Sequence, residues 1–176
     1  MQNFLYDIGT KIYFGEGQIV HLPEAIKPYA SKVLLVYGGG SIKKSGLYDT
    51  ITQLFRENGI EWKELSGVEP NPRIITVRKG VELCRANKLD GVLALGGGSV
   101  IDCCKVISAQ ALLDEDIWEM EYGKGQFPNA GIPVGAVVTA SGTGAEMNAG
   151  GVITHEEKKW KGGIFGIAPV FAVLDP

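Results

Sequence analysis

Leu93-Ala94-Leu95-Gly96-Gly97-Gly98-Ser99-Val100-Ile101-Asp102-Cys103-Cys104-Lys105 is the stretch on which the fold turns. The apolar run from Val92 to Leu95 stops at three glycines, a serine follows, and helix-compatible residues begin. Only backbone without side chains turns so tightly and lets another group approach its N–H donors. A helix starting there aims its free N–H groups, and the positive end of its dipole, at the space beyond the strand. That arrangement suits a phosphate. Ser99 is expected to cap the helix, with Asp102 completing a Ser-x-x-Asp box. A second triplet, Gly38 to Gly40, ends another apolar run, Val33 to Tyr37.

Outward from these two turns the chain alternates between strand and helix signals. Ile8 to Phe14 reads as a strand near an edge, closed by the turn Phe14-Gly15-Glu16-Gly17. Leu47, Ile51, Leu54 and Phe55 share a helical face that stops at Asn58-Gly59. Ile60 to Leu65 follows as a strand. Asn71 and Pro72 suit the cap and first position of a helix carrying Ile74, Val77, Val81 and Cys84 to about Asn87. Ser99 to Leu112 is a further helix, and Ile132 to Val138 and Phe171 to Leu174 are further strands. Gly151 to Ile153 and Lys158 to Ile164 flank His155-Glu156-Glu157, read as a hairpin turn. Uninterrupted apolar strands alternating with helices imply a parallel sheet covered on both faces, with right-handed crossovers. The glycine-rich turns Gly38–Ser41, Gly96–Ser99 and Thr139–Gly144 then share the sheet edge where such folds bind ligands. One elongated, multiply phosphorylated ligand could touch all three.

Composition narrows the classes. The chain has 176 residues, one domain's worth, and is 45% hydrophobic, enough for a core. A net charge of −3 gives no electrostatic case for nucleic acid or a membrane surface, and no apolar run approaches a membrane span. The N-terminus lacks the pattern of a secretory signal. Three cysteines, two of them adjacent, argue against a disulfide framework and for a reducing cytoplasm. No local metal motif is present, and His21 and His155 are expected in surface or capping roles.

The motifs together resemble the N-terminal half of the iron-containing (group III) alcohol dehydrogenases, on the NADP-dependent butanol dehydrogenase branch. The pieces are Phe14-Gly15-Glu16-Gly17, the run from Leu35 through Gly38-Gly39-Gly40-Ser41 to Lys44, Val68-Glu69-Pro70-Asn71-Pro72, Gly96 to Asp102, the run from Thr139 to Asn148, and Gly151-Val152-Ile153-Thr154. Each is weak alone. In this order, over essentially the whole chain, they are specific.

The resemblance implies an α/β fold: a Rossmann-like parallel sheet flanked by helices, of the dehydroquinate synthase-like N-terminal type, with an N-terminal edge strand or hairpin. It implies that residues 1–176 form an NAD(P)-binding domain. Gly97, Gly98 and Ser99 would take the cofactor pyrophosphate, with Asp102 following. Thr139 and Thr143 would line the nicotinamide side, Ser141 is counted with them among the cofactor residues, and Val152 and Lys161 would lie near the ribose. Asn71, also counted among the cofactor residues, would border the substrate pocket together with Met147, Asn148 and Ala149. Gly38, Gly39 and Ser41 stand where NAD-preferring relatives carry an acidic residue. No carboxylate there repels a 2′-phosphate, and Lys43 and Lys44 are close, so NADP(H) is expected over NAD(H).

The family's helical second domain, with one Asp and three His holding iron(II) or zinc, has no counterpart in these residues. No catalytic residue or metal ligand is therefore assigned here. The chain is expected to bind nucleotide without turning over alcohol. The full-length enzyme would move hydride between nicotinamide and a primary alcohol or aldehyde. A homodimer through the N-terminal edge strand is expected on the same analogy. The alternatives are a glycerol dehydrogenase-like relative and a non-catalytic nucleotide-binding module.

Overall fold

The structure is a computed structural model and describes residues 9–176. In chain order the elements are β1 (Lys11–Phe14), α1 (Leu22–Ile26), β2 (Lys32–Tyr37), α2 (Ser41–Lys44), α3 (Leu47–Asn58), β3 (Glu61–Leu65), α4 (Ile74–Asn87), β4 (Gly91–Gly97), α5 (Gly98–Leu112), β5 (Val134–Ala140), β6 (Gly150–His155), β7 (Trp160–Phe165) and β8 (Phe171–Leu174). Six strands form one sheet in the order β1-β8-β5-β4-β2-β3, every neighbouring pair parallel. Among the described residues the edge element is a parallel strand: Lys11 is in register with Phe171 and Phe14 with Leu174. Ile8, expected within it, lies outside the described residues.

The apolar runs are explained by two-sided burial. Val33, Leu35 and Tyr37 of β2 face a cluster with Leu22 and Ile26 of α1 and Ile51 and Phe55 of α3. Leu34 and Val36 face the opposite cluster, with Val77 and Val81 of α4 and Ile101, Cys104 and Ile107 of α5. Successive side chains on a strand point to opposite faces, so a strand covered on both must be apolar throughout. The chain leaves β2 for the outer strand β3 and returns across it to β4. The helices after β2 and β4 therefore lie on opposite faces, and a crevice opens beyond the carboxyl ends of those two strands. Cys84, Cys103 and Cys104 are buried and unpaired. No helix among the described residues is long and apolar enough to cross a membrane.

The hairpin is real: β6 and β7 pair antiparallel, Gly150 with Phe165 and His155 with Trp160. It covers the α4–α5 face, burying Ile153 and Ile164 in that core. This placement corrects the expectation for His155, which is only 2% exposed and sits edge-on to the Trp118 ring. Its Nδ1 accepts the Lys158 N–H within the turn. His21 does stay at the surface, stacked on Tyr13 and 3.5 Å from Glu24.

Two expected helix caps do not form. α5 begins at Gly98 with Gly97 at its cap, so Ser99 falls inside the first turn and no side chain caps the helix. The Asp102 carboxylate is instead engaged with Val152 and Lys105, described below. α4 begins at Ile74 behind an extended Arg73. Asn71 cannot cap it, because its side-chain oxygen accepts from the Lys161 ammonium and its backbone is left-handed, φ 58°.

Candidate nucleotide site

Three loops meet at the carboxyl edge of the sheet, and Val100 is the peg between two of them. A Cβ placed on Gly96 would stand 2.6 Å from Val100 Cγ2. One on Gly38 would stand 3.9 Å from the same methyl and 3.2 Å from the Val68 carbonyl oxygen. The third loop closes over the α5 N-terminus: a Cβ on Gly98 would be 3.5 Å from Thr143 Oγ1, and one on Gly97 3.5 Å from Ala140 Cβ. Glycine is thus required at Gly96 by packing. Its neighbours leave the first N–H groups of a 15-residue helix without a side-chain cap. Such N–H groups seek an acceptor, and an anion is the best one.

Beside these loops a cleft of about 840 Å³ runs between the β5 end and the α2–α3 region. Ser41, Ser45, Thr50, Thr139 and Ser141 supply hydroxyls to its wall, and Ile42, Leu47 and Val138 supply apolar surface. Ser41, Thr139 and Ser141, predicted from separate motifs, therefore share one cavity. Gly39 is open, with nothing within 4 Å of where a Cβ would point.

On the hairpin side of α5 the other predicted residues come together in pairs. The Val152 N–H donates to Asp102 Oδ2 at 3.0 Å. Lys161 donates to Asn71 Oδ1, and the Thr154 N–H to the Pro72 carbonyl at 2.8 Å, so the Val68–Arg73 loop is sewn to the hairpin. The Val152 side chain remains exposed.

Two polar clusters were not assembled by the sequence reading, although it named one member of each, Lys43 and Asn148. At the β2 end the Tyr37 hydroxyl donates to Glu64 at 2.6 Å, the Tyr48 hydroxyl donates to the other carboxylate oxygen, and the Lys43 ammonium lies 4.6 Å from the Tyr48 ring centre. Burial pushes the Glu64 carboxyl up, but the tyrosine hydroxyls outweigh it and hold the group below its usual range. The same bond pushes the Tyr48 hydroxyl up to about 12. So β2 itself ends without a carboxylate, but the adjacent strand places one nearby. Lys43 is docked on two tyrosines rather than simply solvated. Register could have shown it, since Glu64 pairs with Leu35 two residues before the strand end. The second group is Lys105 with Asn148 and Gly150; nothing in the local sequence marks Lys105 as buried.

Among the described residues there is no group of three or more His, Cys, Asp and Glu side chains that could hold a metal ion. The residues present do not fit the iron or zinc of the resemblance, and no chemistry is assigned to a metal here.

A six-stranded parallel sheet flanked by helices, with this glycine mouth at its switch point, is the architecture of the N-terminal domain of the iron-containing alcohol dehydrogenases. Residues 9–176 match the family profile described as iron-containing alcohol dehydrogenase, and the chain belongs to that family. Over its full length it is 51% identical to the probable NADH-dependent butanol dehydrogenase 1 of Bacillus subtilis, covering 46% of that protein. It is 41% identical to the NADPH-dependent aldehyde reductase YqhD of Escherichia coli, again covering 46%. The crystal structure of NADH-dependent butanol dehydrogenase A from Thermotoga maritima superposes with a TM-score of 0.93 at 44% identity, covering 100% of this chain and 45% of that one. The chain spans about half the length of the curated relatives it matches.

Proposed function

We propose that these residues form the NAD(P)-binding domain of a metal-dependent alcohol dehydrogenase or aldehyde reductase that acts on a primary alcohol or aldehyde. The observation that carries the reading is the convergence of the three loops around Val100 and the uncapped N-terminus of α5. Gly97, Gly98, Ser99 and the first N–H groups of α5 hold the pyrophosphate. Gly38, Gly39 and Ser41 take the adenosine end. Asp102, Thr139, Ser141, Thr143, Val152, Lys161 and Asn71 surround the nicotinamide ribose and the reacting end. When bound, the nicotinamide supplies the hydride donor or acceptor. The protein's own contribution is to orient that ring and to line its surroundings with hydroxyls and the apolar Val152.

No group here is assigned to polarise the alcohol oxygen, so the 176-residue chain is read as binding nucleotide without turnover. We read it further as cytoplasmic, in keeping with three buried free thiols, and as dimeric through β1.

For cofactor choice the reading is NADP(H), because β2 ends in glycines and Ser41 where a 2′-phosphate meets no carboxylate of the same strand. Preference for NAD(H) is the second reading. The likeness to the probable NADH-dependent butanol dehydrogenase 1 favours it, and so does Glu64 on the neighbouring strand. Calorimetric titration with NADPH and NADH at matched salt decides. Tighter NADPH supports the first reading and tighter NADH the second. Absence of saturable binding to both sinks the domain assignment.

A further inference from the structure

Lys105 is fully buried in α5, where lysine is rare unless paired. Its ammonium donates to Asn148 Oδ1 at 2.9 Å and to the Gly150 carbonyl at 2.8 Å, and it stands 3.5 Å from Asp102 Oδ1. Three acceptors meet three N–H bonds. They belong to three pieces of chain: the first turns of α5, the loop after Gly144, and the start of β6. Each piece is tied again. The Asn148 amide donates to the Gly144 carbonyl at 3.0 Å, and the Val152 N–H donates to Asp102 Oδ2 at 3.0 Å. The Gly166 N–H donates to Ala149 O at 2.9 Å. There is no slack in the backbone: a Cβ on Gly151 would stand 3.0 Å from Asp102 O, and one on Gly166 2.4 Å from Lys105 O.

Stability does not account for this ammonium. Burying it costs desolvation, and an apolar side chain of similar volume in such a place is often neutral or stabilising. Methionine has nearly the same length and would fill the space. What methionine cannot do is draw Asp102, Asn148 and Gly150 to one point. Asp102, which the ammonium faces, and Val152, whose N–H donates to it, are both among the residues assigned above to the nicotinamide end.

We propose that Lys105 is a positioning residue for the nicotinamide end of the cofactor, aiming the Asp102 carboxylate and holding residues 144–152 against the glycine mouth without touching the ligand. The proposal rests on the dinucleotide reading above. It separates from that reading because it concerns one end of the ligand only.

The test compares NADPH with 2′,5′-ADP, which lacks the nicotinamide ribose, by calorimetric titration of the 176-residue chain, with NADH and ADP as the pair if NADH binds tighter. In Lys105→Met the dinucleotide is expected to weaken roughly 10–100-fold, the usual scale for a lost supporting residue, and the adenosine probe less than about twofold. Asp102→Asn combined with Lys105→Met should be no worse than the poorer single variant, since both act through one unit. Asn148→Ala removes one acceptor from an exposed side chain. It should shift the dinucleotide in the same direction by less, and it carries the test if Lys105→Met does not fold. Equal losses for both probes, or no loss for either, overturn the proposal while leaving the domain assignment standing. Failure of the unsubstituted chain to bind either probe overturns both.

Discussion

At Gly96 a single hydrogen in place of a methyl decides whether the mouth can exist. An alanine Cβ would lie 2.6 Å from Val100 Cγ2 and 3.0 Å from Val100 Cβ, neither of them the far end of a flexible chain. Gly96→Ala is expected to cost about 1–3 kcal/mol of stability, as overpacking does. It should also weaken nucleotide binding by at least about tenfold, since the displaced Val100 supports the Gly38 loop too. Adding Val100→Ala should return part of the stability. Calorimetric melting and titration of the three proteins check this, and unchanged affinity in Gly96→Ala would count against the peg. The glycine was legible from sequence because its neighbours are ordered along the chain. The roles of Ser99 and Asn71 were not. Both have the chemistry of caps, and local pattern predicts caps. The oxygen of Asn71 went to Lys161, 90 residues away in sequence. The cap position that Ser99 was to fill lies two residues earlier, at Gly97. His155 failed in the same way: a turn-like neighbourhood hid a partner, Trp118, from a helical turn far off in sequence.

At the scale of elements, β2 is clasped at both ends by carboxylates from other segments. At its start Asp90 accepts from the Lys32 N–H at 2.6 Å, the Ser31 N–H at 3.0 Å and the Ser31 hydroxyl at 2.9 Å. At its finish Glu64 holds Tyr37. Burial pushes the Asp90 carboxyl up, but the backbone donors prevail and hold it below its ordinary 3.8. A carboxyl depressed on folding stabilises the fold above its unfolded value and loses that contribution as pH falls through its lower folded value. Asp90→Asn should therefore cost about 1 kcal/mol at neutral pH, the low end for charged hydrogen bonds because the group is partly open to water. The difference from the unsubstituted chain should shrink as pH drops below 3.8. Melting curves of both proteins across that range measure it, and a constant difference would refute the assignment. The apolar strands and α3, α4 and α5 were readable from sequence because burial on both faces, or on one stripe, writes itself into hydrophobic periodicity. The carboxylate clasps were not, because a charged residue on a short strand looks the same whether it meets water or a tyrosine.

For the whole molecule, parallel order followed from the alternation of strand and helix, and with it the common edge of the three glycine turns. The second sheet, β6–β7, was legible as a hairpin but not in its position, since nothing local says that Gly151 and Gly166 let it press onto α5. The outer edge of β1 carries Ile12 at 39% and Phe14 at 75% exposure. If two copies join there, sedimentation at micromolar concentration should show a dimer, and Ile12→Lys, a charge on an edge strand, should yield a monomer. A monomer before substitution would remove the edge-strand interface. The position of β1 has one more consequence, for synthesis. Among the described residues its one neighbour in the sheet, β8, lies about 160 residues downstream, and the turn after β1 is pinned by Asp175. At about 5–20 residues per second that is a wait of roughly 10–30 s on the ribosome. Strands β2 to β5 can assemble in the meantime. Of the described strands, β1 is translated first and seated last, and until β8 emerges it has no partner among them.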